Sequence, residues 1–296
     1  MDVSLADGDC PLPATLTMPK GAGPFPAVVL VHGSGPNDRD ETIGPNKPFK
    51  DLAWGLATRG IAVLRYEKRT KQSPGQMIAS MPTLTVNEEV VNDALAATEY
   101  LRGVSSIDPK RVFVLGHSLG GTVAPRIAAR DPRLAGLILL AASNRNLADL
   151  MLEQSEYLAS LDGTVAAEEA RALDELRQQV ERVKALDFKE GEVILGAGKA
   201  YWADILAYDP VATAQSLAVP MLILQGERDY QVTMADFAAW KAGLADRPGV
   251  QFKSYPSLNH LFMAGSGHPN PAEYNVAGNV AREVVDDIAS WIARLP

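Results

Sequence analysis

The chain has 296 residues, 47% of them apolar and 22% charged, with a formal net charge of −8. That balance excludes a disordered chain, and the acidic excess would repel a nucleic-acid partner. The one cysteine, Cys10, excludes an internal disulfide and a cysteine metal site. The four histidines (His32, His117, His260, His268) are scattered without metal-ligand spacing, so a metal site is not expected.

The first residues contain neither a basic nor an apolar leader segment. No apolar run is long enough to span a bilayer, so the sequence reads as a cytoplasmic protein with no membrane contact. Leu12–Met18 predicts an early strand, hairpinned with the residues before it. Ala27–His32 is a near-continuous apolar run, the pattern of a strand buried on both faces. A helix over Asp51–Arg59 and a strand over Ala62–Arg65 follow. The basic residues Arg65, Lys68, Arg69 and Lys71 are then expected in a solvated loop. Thr85 and Glu88 form a capping-box pair, and Val91, Ala94, Leu95, Thr98 and Leu101 continue at helical spacing up to Gly103.

Val112–Leu115 reads as a strand, Leu119–Arg130 as a helix and Leu134–Ala141 as a strand. Beyond Ser143 the rhythm breaks. From about Asn144 to Ala200 no strand-like run occurs, and Leu173, Leu176, Val180 and Val183 recur at the spacing of an amphipathic helix. Strands return at Met221–Gln225 and Gln251–Tyr255, separated by a helix near Met234–Leu244, and a helix from about Asn279 to Arg294 closes the chain. Alternating strands and helices predict an α/β fold with a mostly parallel sheet flanked by helices. Residues 1–143 and 205–296 form its core, and residues 144–204 a helical cap. The insertion leaves the sheet at the carboxyl edge of the strands, where ligands bind in such folds.

The strongest local signal is Gly116-His117-Ser118-Leu119-Gly120, a G-x-S-x-G segment lying between a predicted strand and a predicted helix. At so tight a turn flanking side chains would clash, hence the glycines, and the serine hydroxyl stands exposed above the sheet at a helix N-terminus. Ser118 is therefore the candidate nucleophile. A serine hydroxyl needs a base, and the partners of such an elbow follow it in the order acid, then histidine. Asp229, after the strand Met221–Gln225, is the candidate acid, with Glu227 as its rival. His260, on the loop after the last strand, is the candidate base. His32 precedes the nucleophile, His268 lies in a Gly/Pro-rich loop, and His117 is the variable elbow residue, whose side chain should point away from Ser118.

An oxyanion needs two donors. The N–H of Leu119 supplies one, and the turn His32-Gly33-Ser34-Gly35 the other, through Ser34 with Gly35 behind it; His32 braces that turn. Gly33, Gly35, His117, Tyr201, Trp202 and Tyr208 are candidate pocket residues. The three aromatic ones read equally well as packing of cap on core.

These residues resemble the α/β-hydrolase superfamily over nearly the whole chain, and within it bacterial carboxylesterases related to dienelactone-hydrolase and acyl-thioesterase domains. The likeness rests on His32–Glu41, Ala62–Arg69, Ile107–Gly121 and Leu222–Val232. The second stretch departs from the family's D-x-R-G-x-G-x-S pattern at Glu67 and Thr70. The resemblance implies a cofactor-free serine esterase acting on small acyl esters, often dimeric. A thioesterase using the same triad on an acyl-CoA is the alternative, although the acidic chain offers no evident phosphate clamp.

Overall fold

A computed structural model describes residues 1–5 and 10–296. Among the described residues ten strands alternate with helices: β1 (Asp2–Leu5), β2 (Leu12–Thr17), β3 (Phe25–Val31), α1 (Pro48–Ala57), β4 (Ala62–Tyr66), α2 (Arg69–Gln72), α3 (Pro74–Ser80), α4 (Asn92–Arg102), β5 (Ile107–His117), α5 (Leu119–Arg130) and β6 (Gly136–Leu140). The rest are α6 (Leu147–Ala159), α7 (Ala167–Lys184), β7 (Val193–Ile194), β8 (Ala197–Gly198), α8 (Lys199–Leu206), α9 (Pro210–Ser216), β9 (Met221–Gly226), α10 (Met234–Gly243), β10 (Val250–Tyr255) and α11 (Arg282–Arg294).

Eight strands form one sheet in the order β1-β2-β4-β3-β5-β6-β9-β10. β1 pairs antiparallel with β2, and β2 with β4, whereas every pairing from β4 to β10 is parallel. The N-terminal hairpin is present, and residues 6–9 between its strands lie outside the described residues. The apolar runs follow from burial on both faces. Successive side chains of a strand point to opposite sides, so Val29, Val31, Val114 and Leu139 join α4, α5 and α10 in one core layer. Their neighbours Val28, Leu30, Leu115 and Ile138 pack against α1 and α11 in the other. Truncating Leu30, Leu115, Leu139 or Ile138 to alanine would cost about 2–5 kcal/mol.

The polypeptide after β3, β5, β6, β9 and β10 emerges at one edge of the sheet, and the chemistry-bearing residues lie just past those ends. α6, α7, the short hairpin β7–β8 and α8 are inserted between β6 and α9. That hairpin corrects the expectation of no strand between 144 and 200. Its two-residue strands are too short to leave a periodic signal. Helix α8 of the inserted segment continues across the expected boundary at 204/205 to Leu206. Polar ties hold it to the core. Arg126 reaches Asp204 at 2.8 and 2.9 Å, and Gln154 Nε2 donates to the Gln231 carbonyl at 2.9 Å. Tyr157 Oη donates to Pro269 O at 2.6 Å, and its ring stacks on Tyr230 with centroids 5.2 Å apart.

Two other expectations change. Glu88 accepts from the Thr85 N–H at 2.9 Å as a capping box requires, but Thr85 Oγ1 takes the Asn87 N–H. The helix opens with a π turn over Asn87–Val91 before α4 begins. The basic cluster is not solvated: Arg65 and Lys68 are 5% and 2% exposed. Arg65 pairs with Asp40, Lys68 with Glu89 and Arg69 with Asp93, leaving Lys71 exposed. Each buried cation meets a carboxylate that the local pattern could not reveal.

Candidate active site

The elbow is built by backbone sterics. Ser118 stands between β5 and α5 with φ +52° and ψ −119°, a sparsely populated conformation that costs about 1–3 kcal/mol unless its surroundings enforce it. They do. A Cβ on Gly116 would strike the backbone of Gly120, and one on Gly120 the Val31 carbonyl, so α5 can lie hard against β3 and β5 only with glycine at both positions. The Ser118 N–H donates to the Leu140 carbonyl of β6 at 2.9 Å, fixing the turn from below. Leu119 is the first residue of α5, so its N–H has no acceptor within the helix.

Past β9, the Asp229 side chain is fully buried. Its Oδ1 accepts from the N–H groups of Gln231 (2.8 Å) and Val232 (3.0 Å), and its Oδ2 lies 2.6 Å from His260 Nδ1. That contact leaves His260 Nε2 as the ring nitrogen turned to other work. Glu227, the rival acid, is exposed and accepts from Ser254 Oγ at 2.7 Å. The loop carrying His260 is shaped by Asn259, whose Oδ1 accepts from the N–H groups of Leu261 (3.0 Å) and Met263 (3.2 Å).

The His117 side chain lies in a buried polar cluster. Its Nδ1 is 2.9 Å from Glu41 Oε2 and its Nε2 is 2.9 Å from the His260 carbonyl oxygen. Burial alone would drain the ring of charge, but Glu41 outweighs it and holds His117 above the ordinary 6.5. Burial likewise opposes the Glu41 carboxylate, and His117 with the Gly33 amide keeps its pKa below the usual 4.5. Glu41, itself at φ +52°, also accepts the Gly33 N–H at 2.6 Å through Oε1. The Gly33 N–H is thereby already engaged, while Ser34, the next residue of the turn, borders the cavity. His32 is buried against Phe49 and Tyr66, with ring centroids 5.0 and 5.2 Å away, and burial lowers its pKa to about 4. It is a neutral packing group.

Ser118, Leu119, His260, Gly33, Ser34 and Gly35 border a single cavity of about 530 Å³. His117, Tyr201, Trp202 and Tyr208 border it too. Trp202 Nε1 donates to Ile194 O at 2.8 Å within the insertion, and Tyr208 Oη, just past α8, donates to Thr122 O of α5 at 3.2 Å. Met77, Met81, Leu150, Met151 and Ile205 make the remaining wall largely apolar. Arg145 also borders it, but its guanidinium is bound to Asp236 and Glu153. Among the described residues no group of three or more His, Cys, Asp or Glu side chains could hold a metal ion, and no helix is long and apolar enough to cross a membrane. His268 is exposed, with Nδ1 2.9 Å from Tyr157 Oη, and Cys10 is buried beside Ser73.

The residues that sequence reasoning missed are Glu41, Lys68, Glu89 and Asn259. Only Asn259, adjacent to the candidate base, had a positional hint.

Comparison with known proteins gives these features a lineage. The chain is 44% identical to Esterase EstD of Thermotoga maritima over 96% of its own length, and spans 66% of the length of that relative. Its fold is similar to that of an esterase from Pyrococcus furiosus (TM-score 0.63, 15% identity, 100% of this chain and 91% of that one). It is also similar to that of a putative dienelactone hydrolase from Klebsiella pneumoniae (TM-score 0.57, 18% identity, 99% and 98%). The family model described as the alpha/beta hydrolase family matches residues 28–277, and the chain belongs to that family.

Proposed function

We propose that the chain is a serine carboxylesterase that hydrolyses small or short-chain acyl esters through an acyl-enzyme. The observation that carries this reading is the 2.6 Å contact between His260 Nδ1 and Asp229 Oδ2, with His260 and Ser118 on the wall of the same cavity. In this mechanism His260 Nε2 takes the Ser118 proton as Oγ attacks the ester carbonyl, and Asp229 stabilises the imidazolium. The N–H groups of Leu119 and Ser34 receive the oxyanion. His260 then protonates the leaving alcohol, and water repeats the sequence on the acyl-enzyme. The similarity to Esterase EstD supports ester hydrolysis. The segment from α6 to α8 acts as a cap, since Leu150, Met151, Tyr201 and Trp202 wall the cavity beside Ser118. An uncharged, apolar acyl group suits that wall.

Replacing Ser118 by alanine should lower kcat on a short-chain nitrophenyl ester by about 10⁶-fold, the loss seen when a triad serine is removed elsewhere, with an unchanged melting temperature. Near-normal turnover by the folded variant would remove the assignment. Running an acyl-chain series on esters and thioesters side by side identifies the substrate: thioester turnover exceeding ester turnover would replace this reading with a thioesterase.

A further inference from the structure

The peptide unit joining Gly33 to Ser34 is gripped from behind by a buried cation. Lys68 Nζ donates to the Gly33 carbonyl at 2.8 Å and to Glu89 Oε1 at 2.7 Å, and the Lys68 side chain is 2% exposed. Asn37 Nδ2 adds a second donor to the same carbonyl at 3.1 Å. On the far side of Glu89, Tyr201 of the insertion donates its hydroxyl to Oε2 at 2.7 Å. Burial, with Glu89 adjoining, raises the Tyr201 pKa well above its ordinary 10, so the phenol remains a donor.

In a trans peptide unit the C=O and the following N–H point in opposite directions. Among the described residues the only cis bond is Gly23–Pro24, so the Gly33–Ser34 unit is trans. Anchoring the Gly33 oxygen on Lys68 therefore turns the Ser34 N–H the other way, and Ser34 borders the cavity whereas Lys68 does not. A cation on the oxygen also polarises the unit, which strengthens the N–H as a donor. Burying an ammonium costs several kcal/mol even when it is paired. An apolar side chain would fill this space without that cost, so the charge calls for a reason beyond packing. The carboxylate that receives it sits on the π turn Asn87–Val91, an irregularity frequent at functional sites.

We propose that Lys68 is a positioning residue for ester hydrolysis: through the Gly33 carbonyl it aims and polarises the Ser34 amide that receives the oxyanion, and Glu89 and Tyr201 hold the ammonium in place. This rests on Ser118 being the nucleophile. Lys68 touches no reacting atom. Its effect belongs to the transition state, where negative charge reaches the carbonyl oxygen, and not to substrate binding.

The test compares wild type, Lys68→Met, the double variant Lys68→Met/Glu89→Gln, Tyr201→Phe and Ser118→Ala. The measurements are kcat and KM on a short-chain nitrophenyl ester, the inhibition constant of an alkyl boronic acid, and the melting temperature. The boronic acid forms a tetrahedral adduct on a catalytic serine and so reads the oxyanion donors directly. Lys68→Met and the double variant should each lose about 10–100-fold in kcat, less than the 10²–10³ for deleting a donor outright. KM should stay within about threefold, and boronate affinity should fall in parallel with kcat. The double variant, which leaves no carboxylate unpaired, should recover the melting temperature without recovering activity. Recovery of wild-type kcat in that variant would show a merely structural ion pair and overturn the proposal, as would unchanged boronate affinity. If neither Lys68 variant folds, Tyr201→Phe decides: a drop of about threefold to tenfold in kcat and boronate affinity together supports the relay, and no change rejects it. Turnover by Ser118→Ala would overturn the nucleophile assignment and this inference together, whereas a dead Ser118→Ala beside an active double variant sinks this inference alone.

Discussion

The two sides of Ser118 are built by different physics. On the elbow side, geometry comes from the backbone: glycines at 116 and 120, a strained serine φ, and strand ends that drop Asp229 and His260 within a few residues of β9 and β10. On the side of the Gly33 turn, geometry comes from charges drawn from distant parts of the chain and buried together. Glu41 holds the Gly33 N–H, Lys68 holds its C=O, and His117 links Glu41 to the His260 carbonyl. The contrast teaches that a short turn can be fixed by steric exclusion or by hydrogen bonds on each of its polar atoms. Only the first leaves a local pattern.

Substitutions can break this contrast at graded cost. The largest effect belongs to the motif-built side. Asp229→Asn should lower kcat by about 10⁴-fold by upsetting the His260 tautomer, while Glu227→Gln leaves it near wild type; steady-state kinetics on one ester decides, and the reverse ranking transfers the acid role to Glu227. On the charge-built side, Glu41→Gln keeps an acceptor for the Gly33 N–H but strips His117 of its counter-charge. Breaking a buried pair costs about 3–5 kcal/mol of stability, and kcat should fall about tenfold as the His260 loop and the turn loosen together. The sign with pH follows from the raised His117 value. Its contribution is whole below pH 6.5 and is lost as pH rises through the folded pKa. Wild-type melting temperature should therefore show an alkaline decline that Glu41→Gln lacks; identical slopes would remove the charged pair from the account.

The smallest effect tests the neutral histidine of the turn. Burial takes His32 down to about 4, so the unfolded chain binds this proton first as acid is added. Its contribution is complete above pH 6.5 and is lost as pH falls towards 4. A melting series across that range should slope less steeply in His32→Asn than in wild type, and parallel curves would count against it.

Legibility in the sequence divided along the same line. The sheet was readable because a strand buried on both faces must be apolar throughout, as Ala27–Val31 and Val112–Leu115 are. The elbow was readable because only glycine fits at 116 and 120. Asp229 and His260 were placed from the order in which partners follow such an elbow along the chain, and parallel strands deliver the loops that carry them to one edge of the sheet. Lys68, by contrast, read as a solvated residue, because hydrophobic periodicity carries no record of a charge that folds inward to a carboxylate 21 positions later. Glu41 was hidden for the same reason, since its partner His117 is 76 positions away (117 − 41). The short hairpin β7–β8 has too few residues for any alternation to register.

The hydroxyl of Tyr201 on Glu89 has a consequence for protein engineering. Lids are often treated as exchangeable cassettes, to be cut from one scaffold and spliced into another at the points where the chain leaves and rejoins the sheet. Here such a splice would sever a circuit. A donor segment without a hydroxyl at position 201 would leave the Lys68–Glu89 pair one bond short, directly behind the Gly33–Ser34 peptide unit. It would also lose Asp204, on which Arg126 of α5 is anchored. The transferable unit is therefore discontinuous, the inserted segment together with Lys68, Glu89 and Arg126, and a chimera made with that set should keep a turnover that a simple segment swap would lose.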